Sequence, residues 1–239
     1  GLMLIQSTRR AQFSPGEAAL LQTLADYAAA AMQRAGLLEQ LQSKIEALEA
    51  AQESIAQKER LERELELARQ VQQSMLPRTF PSVPGLTFAA ANAPARHVGG
   101  DFYDVIHLDA GRVGLVIADV SDKGMPAALY MALARSLILA ESRQFASPAV
   151  VLARVNQLLL ELGEQDMFVT VFYGVLDPAA GRLIYARAGH DRPFLIRDGA
   201  AATLGGRGMA LGLFDNALFQ VSEEELLLRG GDRLVLYTD

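Results

Sequence analysis

The sequence predicts an α+β domain with mainly antiparallel sheets, preceded by one long helical region. Between residues 86 and 238, short apolar runs typical of strands lie on both sides of a central pair of helical segments. Strands grouped around helices in this way, rather than alternating with them, favour an α+β fold. Upstream, residues 16–76 contain no proline and show helical apolar spacing, which predicts the long helical region.

The composition limits what the chain can bind. With 239 residues, 51% of them hydrophobic, it can bury a sizeable core. The 22 basic and 28 acidic residues give a net charge of −6, and no basic stripe is interleaved with aromatics, so we expect no nucleic-acid partner. The chain lacks the run of roughly 18–20 apolar residues that a membrane span needs, and it lacks a signal-peptide pattern. We therefore expect no membrane association.

The sequence contains no cysteine. This excludes a disulfide framework, a thiolate nucleophile and a cysteine-type zinc site, and it suits a reducing compartment, so we expect the protein in the cytoplasm. The chain begins on Gly1 and ends on Asp239 at the tip of another apolar run. We expect it to be a piece of a longer protein.

Residues 1–35 form the first predicted segment. An apolar run at 1–5 predicts a short strand, and Ser14, Pro15 and Glu17 occupy the N-cap, first helical and capping-box positions of a helix. A strand followed by F-S-x-x-E and a Leu/Ala-rich helix resembles the C-terminal end of a GAF sensor domain. An ordinary amphipathic helix is the simpler interpretation.

Residues 36–76 show the apolar spacing of a coiled coil. Apolar side chains alternate at intervals of three and four, and the register shifts near residues 56–61. A helix this rich in glutamate needs a partner along its narrow apolar stripe. We therefore expect a parallel homodimer rather than a single helix that lies on its own domain. Pro77 ends the helix. The predicted dimer seam consists of Leu38, Leu41, Ile45, Leu48 and Ile55.

Residues 77–239 are the predicted globular domain, entered through a proline-rich linker. Two helices are expected at 126–142 and 148–162, the second capped by Ser147 and ended by Gly163. Strands are expected at 86–91, 102–108, 112–118, 167–176, 183–188, 194–197 and 233–238.

Three aspartates lie at the edges of apolar strands: Asp101, Asp119 and Asp239. A carboxylate there is costly to desolvate unless a cation or hydrogen bonds compensate. Any one of them alone is more simply a turn residue. Together, with Gly99 and Gly100 permitting close backbone approach, they favour an all-oxygen site for Mg²⁺ or Mn²⁺.

Other catalytic classes have little support. The three histidines, His97, His107 and His190, include no pair at metal-ligand spacing, so a zinc hydrolase is disfavoured. No G-x-S-x-G, Walker A or Rossmann motif follows a strand. We interpret His190, in A-G-H after a strand, as a loop residue that hydrogen-bonds backbone. We interpret the apolar helix at 125–140 mainly as part of the hydrophobic core, and only secondarily as a regulatory surface.

Six motifs, in order, resemble the SpoIIE/RsbU-like branch of the PPM metal-dependent serine/threonine phosphatases over about residues 64–239. They are E-L-x-x-A-R-x-V-Q-x-S-M-L-P (64–77), G-G-D-F-Y-D (99–104), A-D-V-S-D-K-G-M-P-A-A-L (118–129), F-V-T-V-F-Y-G-V-L-D (168–177), A-G-H (188–190) and L-Y-T-D (236–239).

The resemblance implies an αββα sandwich, two mainly antiparallel sheets flanked by helices, with a site for two Mn²⁺ or Mg²⁺ ions between the sheets. Carried over by motif, Asp119 bridges both metals and the Val120 carbonyl helps to hold one. Asp101 binds the second metal, directly or through water, and Asp239 binds the first. The family pattern continues past Asp239 with another aspartate ligand, so we expect this chain alone to hold its metals weakly and turn over poorly.

The resemblance also suggests roles for neighbouring residues. Asp104 is a possible outer-shell partner. Asp122 stands where many relatives have glycine; it could tune the metals, but we favour a turn cap. The helix from Met125 to Ser142 matches a regulatory switch in relatives, which gives Met125, Pro126, Leu129 and Leu133 a regulatory role.

The implied activity is hydrolysis of phosphoserine or phosphothreonine on a partner protein by metal-activated water. Family members suggest an anti-sigma-factor antagonist of the STAS type as the substrate. The order of segments suggests that a sensor acts on the phosphatase through the coiled coil. The alternative is a non-catalytic pseudophosphatase that binds a partner and dimerises through its helices; the presence of all three aspartates argues against it.

Overall fold

The computed structural model describes residues 4, 6, 13–93, 98–163 and 166–239. The strand predicted at 1–5 lies outside the described residues except for Leu4, and so does His97. The chain divides into two compact units, residues 1–63 and 64–239. The structure tests neither the GAF-like assignment of 1–35 nor the domain limits at 36–76 and 77–239, which stay predictions.

Helix α1 runs from Pro15 to Met75 as one helix of 61 residues, so the two helical segments expected before Pro77 are continuous. Its start is the predicted capping box: the Ser14 amide donates to a Glu17 carboxylate oxygen at 2.8 Å, and the Glu17 amide donates to Ser14 Oγ at 3.4 Å. In the first unit, all five seam residues are exposed, from 41% for Ile45 to 64% for Leu48. No helix in the described ranges has both the length and the hydrophobicity to cross a membrane.

The second unit contains two antiparallel sheets. The first has five strands in the order β1-β2-β3-β4-β7, and the second has three in the order β6-β5-β8. The strands are β1 (Phe102–His107), β2 (Val113–Val120), β3 (Val169–Asp177), β4 (Arg182–Ala188), β5 (Phe194–Arg197), β6 (Ala200–Thr203), β7 (Glu223–Leu227) and β8 (Arg233–Val235). The predicted fold class is confirmed.

Two helices follow β2. Helix α2 runs from Met125 to Ser142 and helix α3 from Pro148 to Leu162. Ser147 Oγ accepts a hydrogen bond from the Val150 amide at 3.2 Å, as expected for an N-cap, and α3 ends at Gly163. A single 3₁₀ turn at Asp109–Gly111 joins β1 to β2.

The alternation of side chains along β2 separates two cores. Val116, Ala118 and Val120 pack with α2 and α3 on one face of the five-stranded sheet. Val113 and Leu115 lie on the opposite face, together with Leu234 and Leu204 from the second sheet and its connections. The layers are therefore helices, five-stranded sheet and three-stranded sheet, and β2 is buried on both faces.

Two strand predictions need correction, and two strands were not predicted. Residues 86–91 are not a strand: Leu86 and Phe88 pack against the sheet face as extended chain, without a ladder partner. β8 ends at Val235, so residues 236–238 leave the ladder before Asp239. β6 (Ala-Ala-Ala-Thr) and β7 (Glu-Glu-Glu-Leu-Leu) were not predicted, because their composition is poor in strand-forming residues and pairing with β5 and β4 determines their conformation.

Candidate metal centre

Asp119 is presented by β2, an interior strand of the five-stranded sheet. It is the second-last residue of β2, which is hydrogen-bonded to β1 on one side and β3 on the other. Its partner in the β3 register is Thr170, whose hydroxyl lies 3.4 Å from the Asp119 carbonyl oxygen. The loop after Val120 is tied to β3 by the Ser121 amide, which donates to the Phe168 carbonyl at 2.8 Å. The backbone that carries Asp119 is thus fixed from both sides.

Asp101 reaches the same place because Gly100 has no side chain. A Cβ atom on Gly100 would lie 2.8 Å from the Val120 carbonyl oxygen and 3.2 Å from the Val120 nitrogen, which backbone atoms do not allow. The Asp101 carbonyl accepts a hydrogen bond from the side-chain amide nitrogen Nδ2 of Asn92 at 3.1 Å. The G-G-D motif therefore sets the segment before β1 directly against the end of β2.

The C-terminal end of helix α1 is also hydrogen-bonded to the segment that precedes β1. The buried side chain of Gln72 donates to the Gly99 carbonyl at 2.6 Å and accepts from the Gly99 amide at 3.2 Å. Gly99 is two residues before Asp101. The helix is consequently hydrogen-bonded to the backbone that positions one candidate ligand.

Asp239 follows the three-stranded sheet. The preceding residue, Thr238, donates from its hydroxyl to a carboxylate oxygen of Asp101 at 3.2 Å. This bond joins L-Y-T-D to G-G-D-F-Y-D and brings the end of the second sheet to the edge of the first. The structure therefore brings Asp101, Asp119 and Asp239 close to one another.

The electrostatics of the cluster show how close these carboxylates are. Burial, a hydrogen bond shared with Asp101 and the charges of Asp101, Asp239 and Asp191 together raise the pKa of Asp119 to about 7. Two carboxyl groups can share a hydrogen bond only if one of them holds a proton. A cation in that position would replace the proton and relieve the repulsion.

The donor set fits a divalent cation that prefers oxygen. In the part of the chain that the structure describes, none of Asp101, Asp119 and Asp239 forms an ion pair with Lys or Arg. Within the same residues, no three His, Asp or Glu side chains are spaced to ligate a single ion. Mg²⁺ is typically held by one or two carboxylates and several waters, so carboxylates divided between two ions satisfy that requirement.

Asp104 does not join the cluster. Its carboxylate forms an ion pair with Arg135 of α2 at 2.5 Å, and its second oxygen accepts from the Val105 amide at 2.8 Å. The Asp104 side chain is only 8% exposed. The predicted outer-shell residue therefore connects β1 to α2.

Asp122 lies in the exposed turn between β2 and α2. Its backbone is left-handed, with φ +74°, and its carboxylate accepts a hydrogen bond from the Lys123 amide at 2.7 Å. Asn and Asp tolerate this conformation better than most residues. These contacts are those of a turn cap, the role that the sequence favours.

The residues with a predicted regulatory role, Met125, Pro126, Leu129 and Leu133, line one groove. It has a volume of about 730 Å³ and is also bounded by Asp122 and, near the start of β3, by Leu162, Gly163, Asp166 and Met167. Leu129 is 65% exposed within it. The groove therefore begins at the turn that follows Asp119.

Three residues of this region were missed by sequence reasoning: Asp191, Thr170 and Arg135. Asp191 follows β4 in A-G-H-D, so the strand-edge pattern that identified Asp119 could have identified it too. Thr170 and Arg135 are a strand residue and a helix residue, and nothing in their local sequence sets them apart.

Comparison with known proteins places the chain in a family. The family model described as Stage II sporulation protein E (SpoIIE) matches residues 109–239. Protein IcfG of Synechocystis sp. is 33% identical over 74% of this chain and 32% of its own length, and Phosphoserine phosphatase RsbU of Bacillus subtilis is 30% identical over 74% of this chain and 52% of its own. The chain thus spans about a third to a half of these relatives.

Solved structures agree on the fold. The SiaA-PP2C domain of Pseudomonas aeruginosa matches with a TM-score of 0.60 and 20% identity, over 74% of this chain and 71% of that one. The RsbU and RsbW domains of Rv1364c from Mycobacterium tuberculosis match with a TM-score of 0.52 and 26% identity, over 59% of this chain and 39% of that one. The two antiparallel sheets and their helices are those of a PP2C-type domain, and the chain belongs to the SpoIIE family of PPM phosphatases.

Proposed function

We propose that this chain carries the site of a metal-dependent protein serine/threonine phosphatase. The observation that carries the proposal is the convergence of Asp101 and Asp239 on the desolvated carboxyl group of Asp119. Relatives named phosphoserine phosphatases, RsbU and RsbP of Bacillus subtilis, are 30% and 31% identical to the chain and support the same chemistry.

The aspartates have distinct roles in this proposal. Asp119 would hold both ions, with the Val120 carbonyl helping to hold one; Asp239 would hold the first ion and Asp101 the second. Two bound Mn²⁺ or Mg²⁺ ions would lower the pKa of water and take up the charge that develops on the phosphoryl group. Gly100 and Thr238 keep Asp101 in place, since one permits the close approach and the other donates to its carboxylate.

The test is hydrolysis of a phosphoserine peptide, followed as released phosphate. Because three carboxylates are a small ligand set for two ions, we expect slow turnover that rises with Mn²⁺ into the millimolar range and disappears with a chelator. The unphosphorylated peptide gives the background.

Two outcomes would contradict the phosphatase. Turnover that a chelator leaves unchanged would remove the metal from the mechanism. Bound Mn²⁺ without any hydrolysis would favour the non-catalytic binding module instead.

The natural substrate proposed here is a phosphorylated partner protein, and a STAS-type anti-sigma-factor antagonist is the form that the family suggests. The groove beside Asp119 supports a protein rather than a small metabolite as substrate, because its exposed apolar side chains Met125, Leu129 and Leu162 suit a protein surface.

Regulation through helix α1 is the second part of the proposal. The coiled coil is proposed to pass a signal from an N-terminal sensor to the domain, and the two hydrogen bonds between Gln72 and Gly99 give it a route to Asp101. The helix from Met125 to Ser142 is proposed as a switch because it begins five residues after Val120 and lines the groove.

A seam mutation tests the dimer. Lysines at Leu41 and Leu48 place charge on the apolar stripe, so we expect the dimer to dissociate and the molar mass from light scattering to halve. The control replaces Ser43 and Ala50, on the opposite side of the heptad, with lysine and should stay dimeric. A wild-type monomer, or a double variant that keeps the wild-type mass and activity, would contradict the coiled-coil relay.

A further inference from the structure

The charges at the candidate metal centre leave a phosphorylated substrate without a cation of its own. Four carboxylates meet there, because the charge of Asp191 acts on Asp119 together with those of Asp101 and Asp239. Two divalent ions would balance these four negative charges. A phosphoserine side chain brings a further charge of about −1.5 to −2 at pH 7. Its binding would therefore be favoured by a positive side chain at the rim of the site.

Two connecting segments leave the sheet at the edge where Asp119 lies. Strand β3 lies between β2 and β4 and is antiparallel to both, so β2 and β4 run in the same direction and end at the same edge. Residues 121–124 follow β2, and residues 189–193 follow β4. Each segment contains one Lys or Arg side chain, Lys123 in the first and Arg192 in the second, and both are exposed.

Lys123 lies in a turn whose backbone is held in place. The Ser121 amide donates to the Phe168 carbonyl at 2.8 Å, and the Phe168 amide donates to Ser121 Oγ at 2.9 Å. Gly124, with φ +82°, ends the turn and is the N-cap residue of α2. The backbone of Lys123 is therefore fixed four residues after Asp119, while its side chain is exposed to solvent.

The Lys123 ammonium is not engaged by another charged group. Among the residues that the structure describes, no carboxylate lies within ion-pair distance of it, whereas Lys58 of α1 lies 3.9 Å from Glu62. Lys123 is also the only lysine in the sequence after Lys58. A lysine ammonium has three donors on a flexible stem, so Lys123 can turn toward an anion at this edge.

Arg192 is less well placed than Lys123. It lies close enough to Arg187 for the two positive charges to act on each other. The Arg187 guanidinium donates to the carbonyls of His190 and Gly206, which places Arg192 toward the connection between β6 and β7. Lys123, in contrast, directly follows the strand that carries Asp119.

We propose that Lys123 is a substrate-binding residue whose ammonium donates a hydrogen bond to a phosphoryl oxygen of the phosphorylated substrate. The inference rests on the proposed phosphatase function and adds to it a residue that recognises the phosphoryl group. The ammonium would supply the positive charge that the four carboxylates and two ions leave lacking. Because the phosphoryl group is charged both before and during the reaction, Lys123 would lower KM and change kcat little.

The test measures binding without hydrolysis. The probe is a fluorescent peptide with phosphonomethylalanine in place of phosphoserine, whose carbon–phosphorus bond is not hydrolysed, and anisotropy follows its binding in millimolar Mn²⁺. We expect Lys123→Met to weaken binding at least about tenfold, and Lys123→Arg to keep most of the affinity because it keeps the charge. Arg143→Met is the matched control, since it removes an exposed cation at the other end of α2, and should bind as wild type.

Two further measurements separate substrate binding from support of the metal site. Calorimetry should give the same Mn²⁺ affinity for Lys123→Met and wild type, and hydrolysis of a phosphoserine peptide should show a raised KM with kcat little changed. Wild-type affinity of Lys123→Met for the phosphonate peptide would overturn the inference, and so would a parallel loss of Mn²⁺ binding. A wild-type protein that neither binds Mn²⁺ nor hydrolyses phosphoserine would instead overturn the proposed function.

Discussion

Replacing Asp119 with asparagine should abolish metal-dependent hydrolysis and, at the same time, stabilise the metal-free protein. Asparagine keeps the shape of the side chain but removes the charge that both ions would share. Loss of a bridging carboxylate removes a transition-state contribution of several kcal/mol, so we expect activity to fall by at least about 10³-fold.

The gain in stability follows from the pKa of Asp119, which rises from 3.8 to about 7 in the folded protein. A group with a raised folded-state pKa contributes stability below its unfolded value, and that contribution is lost as the pH rises through the folded value. The metal-free protein should therefore lose stability between about pH 4 and 7. Asparagine removes this penalty. Allowing for solvent screening, we expect a gain on the order of 1 kcal/mol at pH 8, or about 2–4 °C in Tm.

Thermal unfolding in a chelator at pH 5 and pH 8 measures this effect. The difference in Tm between Asp119→Asn and wild type should be larger at pH 8. Asp122→Asn is the matched control, because asparagine tolerates the left-handed backbone of that exposed turn and can cap it, so Tm and activity should change little. Full activity in Asp119→Asn, or a Tm at pH 8 below that of wild type, would contradict the proposal that Asp119 is a metal ligand whose desolvated charge destabilises the metal-free protein.

Arg135→Met is expected to destabilise the domain strongly. It would leave the Asp104 carboxylate, 8% exposed, without its cation. Breaking a buried ion pair from one side costs about 3–5 kcal/mol, because the remaining charge stays desolvated. For a chain of this size we expect Tm to fall by roughly 6–20 °C. The double variant Asp104→Asn/Arg135→Met should recover much of the loss.

The matched control for this pair is Arg69→Met. Arg69 pairs with Glu66 at 3.6 Å, and both side chains are more than 40% exposed. Exposed pairs of this kind contribute about 0–1 kcal/mol, so Tm should barely move. Equal losses in Arg69→Met and Arg135→Met would show that Asp104 is not held by a buried ion pair.

Sequence patterns predicted the elements whose residues determine their own conformation. Ser147 and Gly163 delimit α3 as expected, and β2 and β3 appear as apolar runs because helices cover one face and a sheet the other. The failures concern pairing. The apolar residues at 86–91 find burial without a ladder, whereas the three glutamates that begin β7 form one with β4, because strand pairing depends on neighbours distant in sequence.

The same distinction applies to the site. Asp101, Asp119 and Asp239 could be identified because each stands at the edge of an apolar run. A carboxylate there is costly to desolvate unless a cation or hydrogen bonds compensate. Asp104 has the same local appearance, but its partner is Arg135, ten residues into a helix, and no spacing rule connects them. His190 lies in the loop after β4, as the sequence predicts, but its burial against Thr170 of β3 depends on a residue distant in sequence.

The most direct test of the metal centre is a titration with Mn²⁺ followed by electron paramagnetic resonance. Ions that bind the protein no longer contribute to the signal of free Mn²⁺, so the decrease in that signal counts the bound ions. We expect the wild-type chain to bind two ions and Asp119→Asn to lose at least one of them. Wild-type protein that leaves the free Mn²⁺ signal unchanged at millimolar concentrations, or Asp119→Asn that binds as tightly as wild type, would contradict the account.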